Sequence, residues 1–313
     1  MRSLIMAPAI DCSIRYFEQR KFRALQLRNK WPKYEDLSFI DCLNEEMNKN
    51  NVRAAVLISE IDGGFHQHDE LLAIAEKKPE RFIAVPLVNP TRHNEQKNLR
   101  HYIESGIRAI KLSSLGCHPN PFQPVLLKRI TSFPLWEMCR AYKLTLFVRP
   151  TVYDSHLLPH LVSAFPDVNV VVESSMVSLS PRKVTTDEWG RPRLNLPLPT
   201  MDRYTLWGLS DFPNVRVILA SQYSFSKCEW PYVDLINWHG LENFIALFGA
   251  ERLMWGSDFP FTWINPGYEK CLRTYSVRDF DISPDDLAYI RYKTAQKLLI
   301  KKPAASVLKS RKT

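Results

Sequence analysis

Residues 252–260 read RLMWGSDFP, and this stretch decides the fold class. Leu253, Met254 and Trp255 are consecutive apolar residues, too few for a helix, and they run directly into Gly256, Ser257 and Asp258. A short run that is apolar on both faces fits a strand of a parallel sheet covered on both sides. The polar residues sit just past its C-terminal end, which is where a closed α/β barrel places its chemistry.

The same pattern recurs upstream. Short β-branched runs at Ala7–Cys12, Arg53–Ser59, Phe82–Leu87, Ile107–Leu112, Leu144–Val148, Asn169–Val172 and Arg216–Ala220 bring the count, with Arg252–Trp255, to eight. Helix candidates separate them: Phe39–Asn50, Asp69–Lys78, Glu95–Ser105, Leu135–Ala141, Ser155–Phe165, Thr200–Asp211 and Leu235–Gly249, with Pro284–Leu299 closing the series. Alternation of strand and helix marks βα units rather than hairpins. The expected class is α/β and the expected architecture a (β/α)8 TIM barrel, with a doubly wound sheet as its competitor. Thr185–Pro199 and Phe261–Ser283 are too irregular for βα units and are expected to loop over the barrel mouth. Residues 1–300 are therefore expected to form one barrel domain, and 301–313 a basic, disordered C-terminal tail.

Bulk properties agree. A chain of 313 residues suits a closed barrel, and 45% hydrophobic with 24% charged residues excludes collagen-like, coiled-coil and largely disordered classes. The net charge of +9 is partly peripheral, in Arg20, Lys21, Arg23, Arg28, Lys30 and Lys33 and again in Lys301, Lys302, Lys309, Arg311 and Lys312. Such blocks are normally solvated surface, and without interleaved aromatics they disfavour a nucleic-acid partner. Cys12, Cys42, Cys117, Cys139, Cys228 and Cys271 form no CxxC pair, so reduced thiols in a cytoplasmic protein are expected. Leu4–Ile10 runs into Asp11 without a cleavage site, and no run approaches the ~20 apolar residues of a membrane span.

RLMWGSDFP, followed by a loop and a closing helix ending KTAQKLL (293–299), resembles the last strand of the amidohydrolase-related barrels, the family of aminocarboxymuconate decarboxylases and dicarboxypyrone lactonases. Five further stretches match in order: PERFIAVPLVNP (79–90), GIRAIKLSS (106–114), LTLFVRP (144–150), FPDVNVVVESS (165–175) and FPNVRVILAS (212–221). The resemblance covers about residues 5–300 and implies an amidohydrolase-like barrel with long mouth loops. It also implies a His-x-His pair ending strand 1, a His after strand 5, often another after strand 6, and an Asp after strand 8. Here Ser13 and Arg15 stand at the first pair, Arg149 at or beside the third position, Glu173 or Ser174 at the fourth, and Asp258 alone keeps the family residue. Guanidiniums and a serine do not bind zinc or manganese, so no metal and no other cofactor is expected. His66-x-His68 has a metal-compatible spacing, but its place after strand 2 fits a loop or capping pair better, and Cys12 fits a small buried strand residue.

The strand ends offer Ser13, Arg15, Glu60, Asn89, Lys111, Arg149, Glu173, Ser174, Ser221, Gln222 and Asp258. Such charges can simply pair across the mouth and plug it. The functional reading gives Asp258 the role of general base, with Glu173 as acid partner if burial raises its pKa. Arg149, Lys111 and Arg15 replace the lost cation, binding an anionic or carbonyl-bearing small molecule and stabilising an oxyanion. Ser13, Arg15, Glu60, Asn89, Ser174, Ser221 and Gln222 are the substrate-binding candidates. The resemblance allows this chemistry, since the family contains metal-independent lactonases using an aspartate and cations. Three functions compete: hydrolysis of a lactone or ester, a lyase or cyclase reaction such as decarboxylation or dehydration, and a non-catalytic binding or scaffold barrel. An open pocket with Asp258 on its wall favours catalysis, and a mouth plugged by an Asp258–Arg149 pair favours the scaffold. Trp189, Trp207, Trp230, Trp238 and Trp263 are expected as packing anchors, one or two of them lining an aromatic pocket. A homodimer is implied by resemblance only.

Overall fold

The computed structural model describes residues 8–29, 31–32, 37–60, 68–92, 94–116, 126–151, 155–177, 184–194, 206–235, 240–276 and 282–300. Its strands are β1 (Ala9–Tyr16), β2 (Val52–Ser59), β3 (Phe82–Val85), β4 (Leu87–Val88), β5 (Ala109–Leu112), β6 (Thr145–Val148), β7 (Val170–Val172), β8 (Val184–Thr186), β9 (Pro192–Leu194), β10 (Val215–Leu219) and β11 (Leu253–Trp255). All but β8 and β9 pair in parallel, in two sheets ordered β1-β2-β3 and β11-β10-β7-β6-β5-β4.

The two sheets are arcs of one (β/α)8 barrel. Pro86, which has no N–H to give a ladder, divides the third barrel strand into β3, paired with β2, and β4, paired with β5. At the other junction the Arg15 amide donates to the Phe259 carbonyl (2.8 Å) and the Asp258 amide to the Ser13 carbonyl (2.8 Å). Gly256 permits this approach, since a Cβ there would lie 2.4 Å from Ser13 Cβ.

Side chains alternate between two cores. Ile10, Val56, Ile83, Phe147, Val171 and Met254 fill the barrel, while Leu57, Leu146, Val170, Val217 and Trp255 pack outward with the helices. On β5, β6 and β7 the inward residue one step beyond Ala109, Phe147 and Val171 is Lys111, Arg149 and Glu173, so the top layer of the interior is charged. β1 reaches this layer by a bulge. Asp11 pairs with Ala55 and Ile14 with Leu57, leaving one extra residue on β1. The inward set therefore shifts from Ile10 and Cys12 to Ser13 and Arg15, a re-aiming that bulges commonly produce.

Several boundaries differ from expectation. The first strand runs to Tyr16 instead of ending at Cys12, because Arg15 finds carboxylates across the barrel and need not face water. Part of Thr185–Pro199 is the antiparallel hairpin β8–β9, and Phe261–Ser283 contains the helix Tyr268–Arg273. The basic N-terminal segment forms the helix Gln19–Arg28, which buries Phe22 and Gln26. Most other helices match closely, as with Phe39–Lys49, started by a Ser38–Asp41 capping box. The helix expected at Leu235–Gly249 spans Leu241–Phe248 in the described residues. The 301–313 tail, His66, Cys117, Trp238 and the first half of Thr200–Asp211 lie outside the described residues. No described helix is long and apolar enough to cross a membrane.

Candidate active site

Asp258 leaves the end of β11 in the left-handed region at φ 65°, and Ser174, Ser175, Met176 and Ser221 share that conformation at the ends of β7 and β10. Non-glycine residues seldom occupy it, and such residues concentrate at functional sites. Here it turns Asp258, Ser174 and Ser221 into one polar cluster.

Asp258 Oδ1 accepts from Arg15 Nε (2.5 Å) and Ser13 Oγ (3.3 Å), and Oδ2 accepts from Tyr223 OH (2.6 Å) and Ser221 Oγ (2.7 Å). Those four donors use the capacity of a carboxylate. Burial alone would raise the Asp258 pKa, but Arg15, Tyr223 and Ser221 outweigh it and hold the group below the usual carboxylate range. Arg15 also donates to Glu60, to Glu173 Oε2 (2.9 Å) and to Ser174 Oγ (3.2 Å). Lys111 Nζ bridges the same two carboxylates, at 2.8 Å from Glu60 Oε1 and 3.1 Å from Glu173 Oε2. Burial works against the charges of Glu60 and Arg15, yet Lys111 and Arg15 pull the Glu60 pKa down, and the three carboxylates push that of Arg15 up.

Arg149 is different. Its Nε is buried without a hydrogen-bond partner, and it forms no ion pair among the described residues. Burial, then repulsion from Arg15, lower its pKa. It lines a cavity of about 250 Å³ at the mouth together with Arg15, Glu60, Ser221, Tyr223 and Asp258. The outer wall is apolar, with Phe17, Phe261 and three hairpin residues, Val184, Pro192 and Leu194. The described residues thus leave a cavity at the mouth, and the partner of Asp258 is Arg15 instead of Arg149.

Two candidates stand apart. Asn89 Oδ1 accepts from the Thr91 amide (3.0 Å) and hydroxyl (2.8 Å), closing a turn, and Gln222 points to the Tyr275 hydroxyl. Neither lines the cavity. Tyr223, absent from the sequence candidates, takes the place expected of Gln222. A 3-10 turn at Gln222–Ser224 swaps them, and only the backbone of Ser221 announces it. None of the described tryptophans lines this cavity; Trp207 stacks on Phe244 and Trp263 on Phe22. His68 is buried with Nε2 3.0 Å from the Leu87 carbonyl, and its side chain makes no helix cap.

The amidohydrolase profile designated Amidohydro_2 matches residues 22–300. The chain belongs to the amidohydrolase family. No curated relative matches its sequence. Among solved structures, a Pseudomonas putida protein described as a 2-pyrone-4,6-dicarboxylic acid hydrolase is 20% identical, with 93% of this chain and 96% of that one covered and a TM-score of 0.64. A Burkholderia multivorans amidohydrolase with bound zinc is 14% identical, with 93% and 99% covered and a TM-score of 0.66. The 5-carboxyvanillate decarboxylase of Sphingomonas paucimobilis is 13% identical, with 94% and 99% covered and a TM-score of 0.57. These likenesses establish the shared fold.

A divalent cation does not fit the residues that this amidohydrolase places at the metal position. Zinc and manganese need deprotonated nitrogen, oxygen or sulfur donors. Here the Arg15 guanidinium occupies Asp258 Oδ1, two serine or tyrosine hydroxyls occupy Oδ2, and no cluster of three or more His, Cys, Asp or Glu among the described residues is arranged for a metal.

Proposed function

We propose that this amidohydrolase works without bound metal on a small anionic carbonyl compound, hydrolysing a lactone, ester or related acyl bond at the barrel mouth. The observation that carries this reading is Arg149, a cation without an ionic partner among the described residues, on the wall of a cavity that the buried Asp258 also lines. Water attack on an acyl carbon places charge on the carbonyl oxygen, and a fixed donor there contributes roughly 3 kcal/mol in the transition state. Arg15 and Lys111 are engaged by carboxylates, which leaves that task to Arg149. Asp258, ionised at neutral pH, receives the proton from water through Ser221 or Tyr223, whose hydroxyls bond its Oδ2 and line the cavity. Glu173 holds Lys111 and Arg15 in place and supplies the second carboxyl.

The test is a panel of anionic lactones and esters in chelator-treated buffer. Turnover is expected to survive chelation, and Asp258→Asn or Arg149→Gln to lower kcat/KM by about 10²- to 10³-fold. Full turnover by Asp258→Asn, or dependence on added zinc or manganese, would sink the proposal. The four donors on Asp258 favour a second reading, a barrel that binds without catalysis; saturable binding with no turnover across the panel would select it.

A further inference from the structure

The charges around the cavity restrict what it can hold. Its described walls carry two cations, Arg15 and Arg149, and two anions, Glu60 and Asp258. Arg15 is spent on Asp258, Glu60 and Glu173. Lys111 is spent on Glu60 and Glu173 from behind. Arg149 balances the third carboxylate in number but makes no ion pair with any of them, and among the described residues its buried Nε has no hydrogen-bond partner. A planar guanidinium with free donors suits a carboxylate, which it can grip with two parallel hydrogen bonds. A second anionic group in the same cavity would meet Glu60 or Asp258, with no further cation among the described lining residues to offset it.

The rest of the wall speaks to the body of the ligand. Phe17, Phe261, Val184, Pro192 and Leu194 offer no polar side-chain group. A volume of about 250 Å³ leaves room for at least eight water-sized groups at about 30 Å³ each. We infer that this cavity selects a compact monocarboxylate with an apolar body, its carboxylate held by Arg149 and its body covered by the β8–β9 hairpin. The inference rests on the proposed ligand site and narrows it to one anionic group.

The experiment is calorimetric titration and thermal shift on the full chain, with benzoate and hexanoate as probes. Benzamide is the neutral control and isophthalate the dianionic one. Benzoate or hexanoate should bind and raise Tm; benzamide and isophthalate should each bind roughly 10- to 100-fold more weakly. Arg149→Gln should lose the benzoate response while melting, without ligand, no lower than the parent, because it removes a partly buried charge that makes no ion pair among the described residues. That second readout separates an anchor from a structural arginine. Isophthalate binding as tightly as benzoate, an undiminished response in Arg149→Gln, or no binding by either monocarboxylate would each overturn the inference. Benzoate binding with no ester or lactone turned over would leave it standing and remove the hydrolytic reading. Preferential turnover of dianionic lactones would do the reverse.

Discussion

Three carboxylates converge on one guanidinium at Arg15, and that arrangement has a sign that can be measured. Removing one member of a buried ionic cluster leaves the others without compensation, at roughly 3–5 kcal/mol. Arg15→Met is expected to lose about that much in urea unfolding, and Arg15→Lys to recover little, since a compact ammonium cannot reach the same spread of acceptors. A loss below about 1 kcal/mol would mean that water already screens the cluster. Asp11 gives the opposite lesson. Burial raises its pKa from 3.8 to about 6 against the hydrogen bonds it accepts from Ser257, Tyr268 and Ser13. The folded state therefore holds this proton more tightly than the unfolded chain does. Its contribution is full below the unfolded value and is lost as pH rises through the folded one, about 3 kcal/mol for a shift of roughly two units. Asp258, with its pKa lowered, contributes in the other direction, above the ordinary carboxylate range. Denaturation between about pH 4 and about pH 6 should show stability falling, and Asp11→Asn should flatten that fall; an unchanged slope would assign it to another group. Most members of the site were legible as polar residues past apolar runs. Their pairing was not, because a bulge in β1 and a 3-10 turn after β10 decide which side chains face inward, and neither leaves a composition signal.

Among elements, the β8–β9 hairpin was the hardest to read. Its strands are three residues each and largely solvent-facing, so no alternation distinguishes them from a loop. What holds it is local and ionic. Arg191 pairs with Asp187 Oδ2 at 2.8 Å, donates to the Asn265 carbonyl at 2.9 Å and lies over the Tyr223 ring, 5.2 Å from its centroid. Arg191→Ala is expected to make residues 184–194 the first site of limited proteolysis, while the barrel strands keep their resistance. Equal cleavage of parent and variant would show that other contacts fasten the hairpin. The barrel strands were more legible because each is a dense apolar run. Pro86 still divided one of them, for want of an amide. Gly256→Ala should destabilise by about 1–3 kcal/mol, the usual range for forcing a group into filled space, as its methyl would overlap Ser13. A neutral result would mean that the β1–β11 junction has slack.

Across the whole molecule, the chain keeps the amidohydrolase barrel while Asp258, at the metal position, is surrounded by the cationic Arg15 and the hydroxyls of Ser13, Ser221 and Tyr223. Purified protein is expected to hold zinc and manganese well below one equivalent and to keep its Tm after chelation. Near-stoichiometric metal that disappears in Asp258→Asn would reverse the assignment. The barrel also has two seams, one at Pro86 and one where Ser13 and Arg15 meet Asp258 and Phe259. Ser13, Arg15 and Glu60 ride on the three-stranded arc; Lys111, Glu173 and Asp258 ride on the six-stranded arc. The Arg15–Glu173, Arg15–Asp258 and Lys111–Glu60 pairs therefore tie one arc to the other. In amide hydrogen exchange the smaller arc should open as a unit before the larger one, and neutralising the cluster should lower its protection first. The groups that would greet a ligand are thus also the clasp of the barrel, so any sequence drift that retunes its chemistry must be reconciled with keeping the two arcs fastened.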